Sequence, residues 1–399
     1  MSKATINQNN KIYSLEFNQN FTLFSLATEN GFKIYNTSQI NENYEKKLSG
    51  GIKKCELSYQ SNYIALVGGG KTPIFSNKKV VIYNDAEDVI ESEYKFMTPV
   101  LNVKLKKNLL FIVCEKTIYV FNTFTSLNID SFDTIYNKKG LIAVNGNPEK
   151  TIMAYPIEFK GESNKGYVTI KNYKTNKCFP LNVQDDKISF MAMDYNGLLL
   201  ATSNEKGTLI RLHSCNDGTL MYECRRGKEK AEIIYISFDI NYKYIGVSSD
   251  RKTIHVWKLD NIIERKKKEI NVKTSKSFIS NDNKQDIDML KPEKQISDKT
   301  LIHDKNNIIE KKEDINLTEE ICLKEIKSPK NESSFAKIRM NEPDCIFCFK
   351  PKDNVIIISY HGNYTVAHID SKKGGDCNPG KTINLNDVKK EKEKEKNNK

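Results

Sequence analysis

Apolar residues along this chain come in short runs, such as "KIYSLEF" (11–17), "LLFIVCE" (109–115) and "YIGVSS" (244–249). The runs are rich in Ile, Val, Tyr and Phe and end at Gly, Asn or Asp, which predicts strands. A unit then recurs. An apolar strand meets a polar turn, a second strand follows, a small-residue turn intervenes, and a third strand closes with an aromatic near its end. It reads "IYSLEFNQNFTLFSLATENGFKIYN" (12–36), "KCELSYQSNYIALVGGG" with "KKVVIYND" (54–85), and "VLNVKLKKNLLFIVCEKTIYVFN" (100–122). It continues as "GLIAVNGNPEKTIMAYP" with "GYVTIKNY" (140–173), "ISFMAMDYNGLLLATSNEKGTLIRLHS" (188–214), "IIYISFDINYKYIGVSSDRKTIHVWKLD" (233–260) and "CIFCFKPKDNVIIISYHGNYTVAHID" (345–370).

Most copies follow one another at about 40–50 residues, the period of four-stranded propeller blades. A β-sandwich would not repeat its turn chemistry so regularly. The expectation is an all-β, seven-bladed β-propeller spanning residues 1–260 and 333–375, with residues 1–20 helping to close the ring. Closure removes sheet edges that isolated blades could not leave exposed. The single Trp, Trp257, occupies a blade-end position suited to the core.

One interval breaks the period. Residues 261–332, between copies six and seven, are rich in Lys, Glu, Asn and Ser and carry too little apolar surface to fold alone, so a disordered insertion is expected there. "SSFAKIRM" (333–340) re-enters as a strand in this reading. Residues 376–399, ending "VKKEKEKEKNNK", read as a charged disordered tail.

Composition adds less. The net charge of +12 points to anionic partners, but lysine and asparagine run through the whole chain, so charge alone selects none. Nucleic acid is not expected, since no basic stripe interleaved with aromatics is present. Nine scattered cysteines and an N-terminus without an apolar stretch predict reduced thiols in the cytoplasm. No run approaches the roughly 18 apolar residues of a membrane span.

Arginine is different. Only 6 of the 63 basic residues are arginine, and two stand side by side as Arg225 and Arg226, followed by Gly227. In a strand, neighbours point to opposite faces, so the pair should serve two neighbouring pockets. Arginine's planar fork matches phosphate oxygens, where lysine is a point charge. Small, hydroxyl and amide positions flank the pair: Thr202, Asn204, Gly207, Thr208 and Arg211 before it, and Ser249, Thr253 and His255 after it.

"GTLIRLHSCNDGTLMYECRRG" (207–227) followed by "VSSDRKTIHVW" (247–257) resembles the PROPPIN family, the phosphoinositide-binding propellers called WIPI in animals. That family's signature is Phe- or Leu-Arg-Arg-Gly; Cys224 holds the first position here. "ENGFKIYNT" (29–37) and "YIALVGGGKTP" (63–73) share the resemblance, which covers residues 12–260 and resumes over 333–370. It implies a non-catalytic protein without cofactor or metal that binds phosphatidylinositol 3-phosphate and 3,5-bisphosphate at two rim sites. The first would use Arg225 with Thr202, Asn204, Gly207, Thr208 and Arg211. The second would use Arg226, Gly227, Ser249, Thr253 and His255. The family usually has Ser where this chain has Thr202 and Asn204, and often His near Gln184, with Asp185 and Asp186 following here. The second site is therefore expected to be the stronger.

The resemblance further implies a monomer in the cytoplasm, recruited to autophagosomal, endosomal or vacuolar membranes, or to a plastid-associated membrane. An autophagy lipid-transfer protein would dock on blades two and three. A blade-six loop would insert apolar side chains, with Phe278 and Ile279 as the candidates here. The alternative is a WD-type scaffold whose basic rim binds an acidic peptide.

Other motifs name no chemistry. Cys345 and Cys348 form a lone C-x-x-C without a second pair and read as strand residues. "VGGGK" (67–71) lacks the spacing of a phosphate loop and reads as a tight turn. No nucleophile, base or paired-carboxylate set recurs at matching repeat positions, so no catalytic residue is expected.

Overall fold

The computed structural model describes residues 11–41, 43–260, 262–269, 317–323 and 332–388. Each apolar unit of the sequence is one antiparallel sheet of a seven-bladed propeller, and the sequence units lacked only their polar outer strands. Blade one is Ile12–Phe17, Leu23–Thr28, Gly31–Asn36 and Asn43–Lys47, in that order. Its second strand is almost wholly buried, whereas its outer strand is half-exposed, which is why "NYEKK" carries no apolar pattern. Blade five is Ile188–Met193, Leu199–Asn204, Leu209–Ser214 and Leu220–Arg225.

Blade six is split in sequence. Ile233–Phe238, Tyr244–Ser249 and Thr253–Lys258 are followed by the long insertion, and Ala336–Arg339 returns as the fourth strand, antiparallel to Thr253–Val256. The insertion thus joins the third and fourth strands of blade six, ahead of blade seven. Within it, Ile263–Glu269 and Leu317–Leu323 pair as a two-stranded sheet. Phe278 and Ile279 lie outside the described residues.

The boundary expected at residue 376 needs correction. Pro379–Asn384 is the outer strand of blade seven, after Cys345–Lys350, Asn354–Ser359 and Asn363–His368. Gly375–Cys377 runs parallel to Ala336–Arg339 and covers the edge of blade six. Leu385 and Val388 are buried, so the propeller reaches residue 388. The segment escaped a composition reading because an outer strand needs few apolar residues.

Packing between neighbouring blades forms the core. Leu15, Phe17, Phe24 and Tyr35 of blade one meet Ile346, Cys348, Ile356 and Ile358 of blade seven. The Lys350 ammonium donates to the Phe21 carbonyl at 2.7 Å and the Tyr364 hydroxyl to that of Thr37 at 2.8 Å. The ring therefore closes by side-chain packing between two complete blades. Residues 12–17 contribute as the inner strand of blade one, not as a strand lent to blade seven. Cys345 and Cys348 point into different inter-blade clusters, six–seven and seven–one, so the C-x-x-C does not converge.

The ring encloses a cavity of about 520 Å³. Inside it Lys104 lies 3.1 Å from both Glu16 and Glu56, and Lys54 lies 3.2 Å from Glu16. Burial works against a charged Glu16, but Lys104 and Lys54 outweigh it and hold the carboxyl down at about 2.

Candidate phosphate-binding rim of blades five and six

Two equivalent hairpins build the rim. In blade five the Asn204 carboxamide oxygen accepts from the amides of Lys206 and Gly207, and Gly207 takes φ +60. A Cβ at Gly207 would sit 2.1 Å from the Ala231 carbonyl, so only glycine fits. In blade six the Lys252 amide donates to the Ser249 carbonyl at 3.2 Å, and Lys252 takes φ 56.

Strand register sorts the side chains. Thr202, Arg211 and Glu223 are successive cross-strand partners in blade five, and Arg225 lies on their face, opposite Leu209. This face is turned to blade four, where Asp185 follows the strand Lys177–Gln184. Arg226, one residue on, is buried and turns the other way. Its Nε donates to the Gly207 carbonyl at 2.6 Å, its guanidinium also donates to the Glu229 carbonyl, and its amide donates to Thr208 O at 2.9 Å. Arg226 thus reaches back to the Gly207 turn, whereas Arg225 lies on the sheet face of Arg211. Gly207 and Thr208, expected beside Arg225, offer their carbonyls to Arg226.

The gap on the Arg226 side is lined by blade six. Ser249, Thr253 and Arg339 form one cross-strand row, and Val247, His255 and Lys337 the next row on the same face. Cross-strand neighbours stand about 5 Å apart, so the rows gather a hydroxyl pair, an imidazole, an ammonium and a guanidinium. His255 Nδ1 lies 3.1 Å from the Ser334 hydroxyl, and its ring stacks on Trp257. Burial, with help from Arg226, Lys337 and Arg339, holds the imidazole down at about 4, so it is neutral at pH 7. Burial likewise lowers the Arg226 pKa. The Ser249 hydroxyl is buried and has no hydrogen-bond partner among the described residues. Arg339 pairs with Asp376 at 3.0 Å in an exposed contact.

Sequence reasoning missed Ser334, Lys337 and Arg339. The available signal was the spacing of two in "KIR" (337–339), which puts both cations on one strand face. Ser334 follows Glu332–Ser333, which pairs in parallel with Cys224–Arg225. The Trp257 indole donates to the Glu332 carbonyl at 2.9 Å. The end of the insertion is thereby fastened between the two blades. Gly227, which the resemblance places in the second site, has no positive φ, and a Cβ there would meet open space.

The Arg225 side is built differently. Arg211 donates to Asp185 at 2.7 Å and to Glu223 at 2.9 Å, and the Asp185 bond raises its pKa. Lys206 pairs with Asp186 at 2.8 Å. Thr202 is fully buried, and its hydroxyl and carbonyl accept from the Gln184 carboxamide at 3.1 and 2.9 Å.

Residues 11–322 match the family model described as PROPPIN. The chain belongs to the PROPPIN family. Autophagy-related protein 18e of Arabidopsis thaliana is 33% identical over 256 residues, which cover 62% of this chain and 66% of that protein, just under two thirds of its length. SVP1-like protein 2 of Pichia angusta is 29% identical over 252 residues, covering 62% of this PROPPIN and 70% of its relative. In fold, this PROPPIN is similar to Kluyveromyces lactis Hsv2, with a TM-score of 0.67, 16% identity, and coverage of 94% of this chain and 99% of that one. KlAtg21, solved in complex with the coiled-coil of AgAtg16, aligns with a TM-score of 0.64 at 19% identity over the same shares. Among the described residues, no helix of this PROPPIN is long and apolar enough to cross a membrane.

Proposed function

We propose that this protein is a non-catalytic phosphoinositide effector. It binds phosphatidylinositol 3-phosphate and 3,5-bisphosphate on the rim of blades five and six and recruits autophagy or organelle-biogenesis machinery to the marked membrane. One observation carries the reading. The buried Ser249 hydroxyl, without a partner among the described residues, lies in one row with Thr253 and Arg339, beside His255 and Lys337 and near Arg226. A buried hydroxyl without a partner is costly, and a phosphate oxygen would satisfy it. The cations supply the charge-assisted donors that phosphate prefers. Family membership supports the same chemistry.

Arg225 and its surroundings form the second, weaker site. Where both sites are engaged, the second engagement on a membrane is intramolecular, which multiplies affinity by up to ~10²–10⁴. Partner docking is assigned to blades two and three. A cavity of about 640 Å³ lined by Tyr63, Ile82, Leu105 and Phe124 lies there, with Tyr63 and Phe124 exposed.

Flotation with phosphatidylcholine vesicles, with and without phosphatidylinositol 3-phosphate, tests the reading. Wild type should float only with the phosphoinositide, and folded Arg225→Ala/Arg226→Ala should not. Soluble inositol 1,3-bisphosphate should release the protein. Equal flotation of both proteins would overturn the proposal. Failure of both to float would favour an acidic-peptide scaffold, for which the same cation rows are suited.

A further inference from the structure

On the Arg225 side, the contacts go beyond a difference in residue type. Arg211 lies on the same sheet face as Arg225, and its fork is shared between Asp185 and Glu223. Lys206 is held by Asp186, and the Asn204 carboxamide reaches the same carboxylate at 3.4 Å. Asp185 and Asp186 thus cover two cations and an amide that could otherwise meet a phosphate. The carboxylates differ in depth. Glu223 is buried, with only 9% of its side chain exposed, and is built into the sheet. Asp185 is 77% exposed and Asp186 42% exposed, so both sit where a headgroup would arrive.

We infer that Asp185 and Asp186 are an acidic latch that sets the phosphoinositide preference of this rim, closing the Arg225 side to phosphate and leaving binding to the Arg226 side. The inference rests on the proposed phosphoinositide function. A dianionic headgroup entering beside Arg225 must displace the carboxylates from Arg211 and Lys206 or lie against them, and like charge at contact distance opposes it. Exposed ion pairs contribute little to folding, so the latch is releasable without harm to the fold. The carboxylates act through Arg211 and Lys206, as determinants of specificity rather than ligand contacts. The cations beside Arg225 are therefore held in an unproductive charge state.

Asp185→Asn/Asp186→Asn removes the latch and keeps the side-chain shapes. Affinity for phosphatidylcholine vesicles carrying phosphatidylinositol 3-phosphate should rise about tenfold or more, within the ~10²–10⁴ that engaging two sites at once permits. The gain should vanish when Arg225→Ala is added, and Arg225→Ala should cost more in the latch-free protein than in wild type. Vesicles carrying phosphatidylserine instead should show no such gain. No gain, a gain that survives Arg225→Ala, or an equal gain on phosphatidylserine each overturns the latch. Arg226→Ala in otherwise wild-type protein separates the two readings. If it leaves vesicle binding intact, the lipid site itself is wrong; if it abolishes binding while the Asp variants gain nothing, only the latch fails.

Discussion

The Nε of Arg226 donates to the carbonyl oxygen of Gly207 at 2.6 Å, so the second arginine of the pair is aimed by a turn nineteen residues earlier. That turn exists because Asn204 caps it and Gly207 alone tolerates its backbone. The chain from 204 to 226 therefore acts as one device, in which a glycine places a guanidinium.

Gly207→Ala tests that device. An alanine at φ +60 costs about 1–2 kcal/mol, and the approach to the Ala231 carbonyl adds to it. The melting temperature should fall and phosphoinositide binding should weaken with it. Gly227→Ala is the contrast, since its Cβ meets open space. Its stability should stay within about 0.5 kcal/mol of wild type, measured by denaturant titration.

Ser249→Ala separates binding from folding. The hydroxyl has no partner to lose among the described residues, so thermal stability should hold or rise slightly. Vesicle affinity should drop by roughly the net worth of one hydrogen bond to a charged group, about 1.5–3 kcal/mol. A stability loss without a binding loss would place the hydroxyl in the fold alone.

His255 makes stability depend on pH. Burial first, then the nearby Arg226, hold the folded imidazole at about 4, below its ordinary 6.5. Between those values the unfolded chain binds a proton that the folded chain refuses. The contribution is complete above pH 6.5 and is lost as pH falls towards 4, about 2 kcal/mol at pH 5. Thermal melts from pH 7 to 5 should fall steeply for wild type and less steeply for His255→Gln. His213, held at about 4 mainly by burial, adds to the same slope and remains in the variant.

Lys104 secures the channel by bridging Glu16 and Glu56. Lys104→Met leaves the buried Glu56 without a cation and Glu16 with Lys54 alone, and should cost about 3–5 kcal/mol, read as a lowered denaturation midpoint. The Lys104→Met/Glu56→Gln double variant should recover part of that loss, since only Glu16 then needs a partner and Lys54 supplies it.

The glycine-rich stretch 67–71 departs from the tight turn read from its sequence. Val67 and Gly68 end the strand Tyr63–Gly68, and the loop runs on to Lys79. The Lys71 and Thr72 amides donate to the Glu29 carboxylate at 2.8 and 3.2 Å. The loop holds an anion from its own blade-one neighbour, and nothing local in "VGGGK" names that partner.

Short apolar runs, turn residues and the repeat spacing determined the seven blades, because a strand buried between neighbouring blades records that burial in its own residues. Outer strands such as Pro379–Asn384 were not legible, because they bury too little to leave an apolar pattern. Nor were the partners. Which cation meets an open gap and which meets a carboxylate depends on residues brought together from distant turns. Arg339 and Lys337 reach the Arg226 side only through pairing across the insertion, and Asp185 reaches Arg211 only through the packing of blade four on blade five. Electrostatics acts through space, and the distances that set it are fixed only when the ring closes.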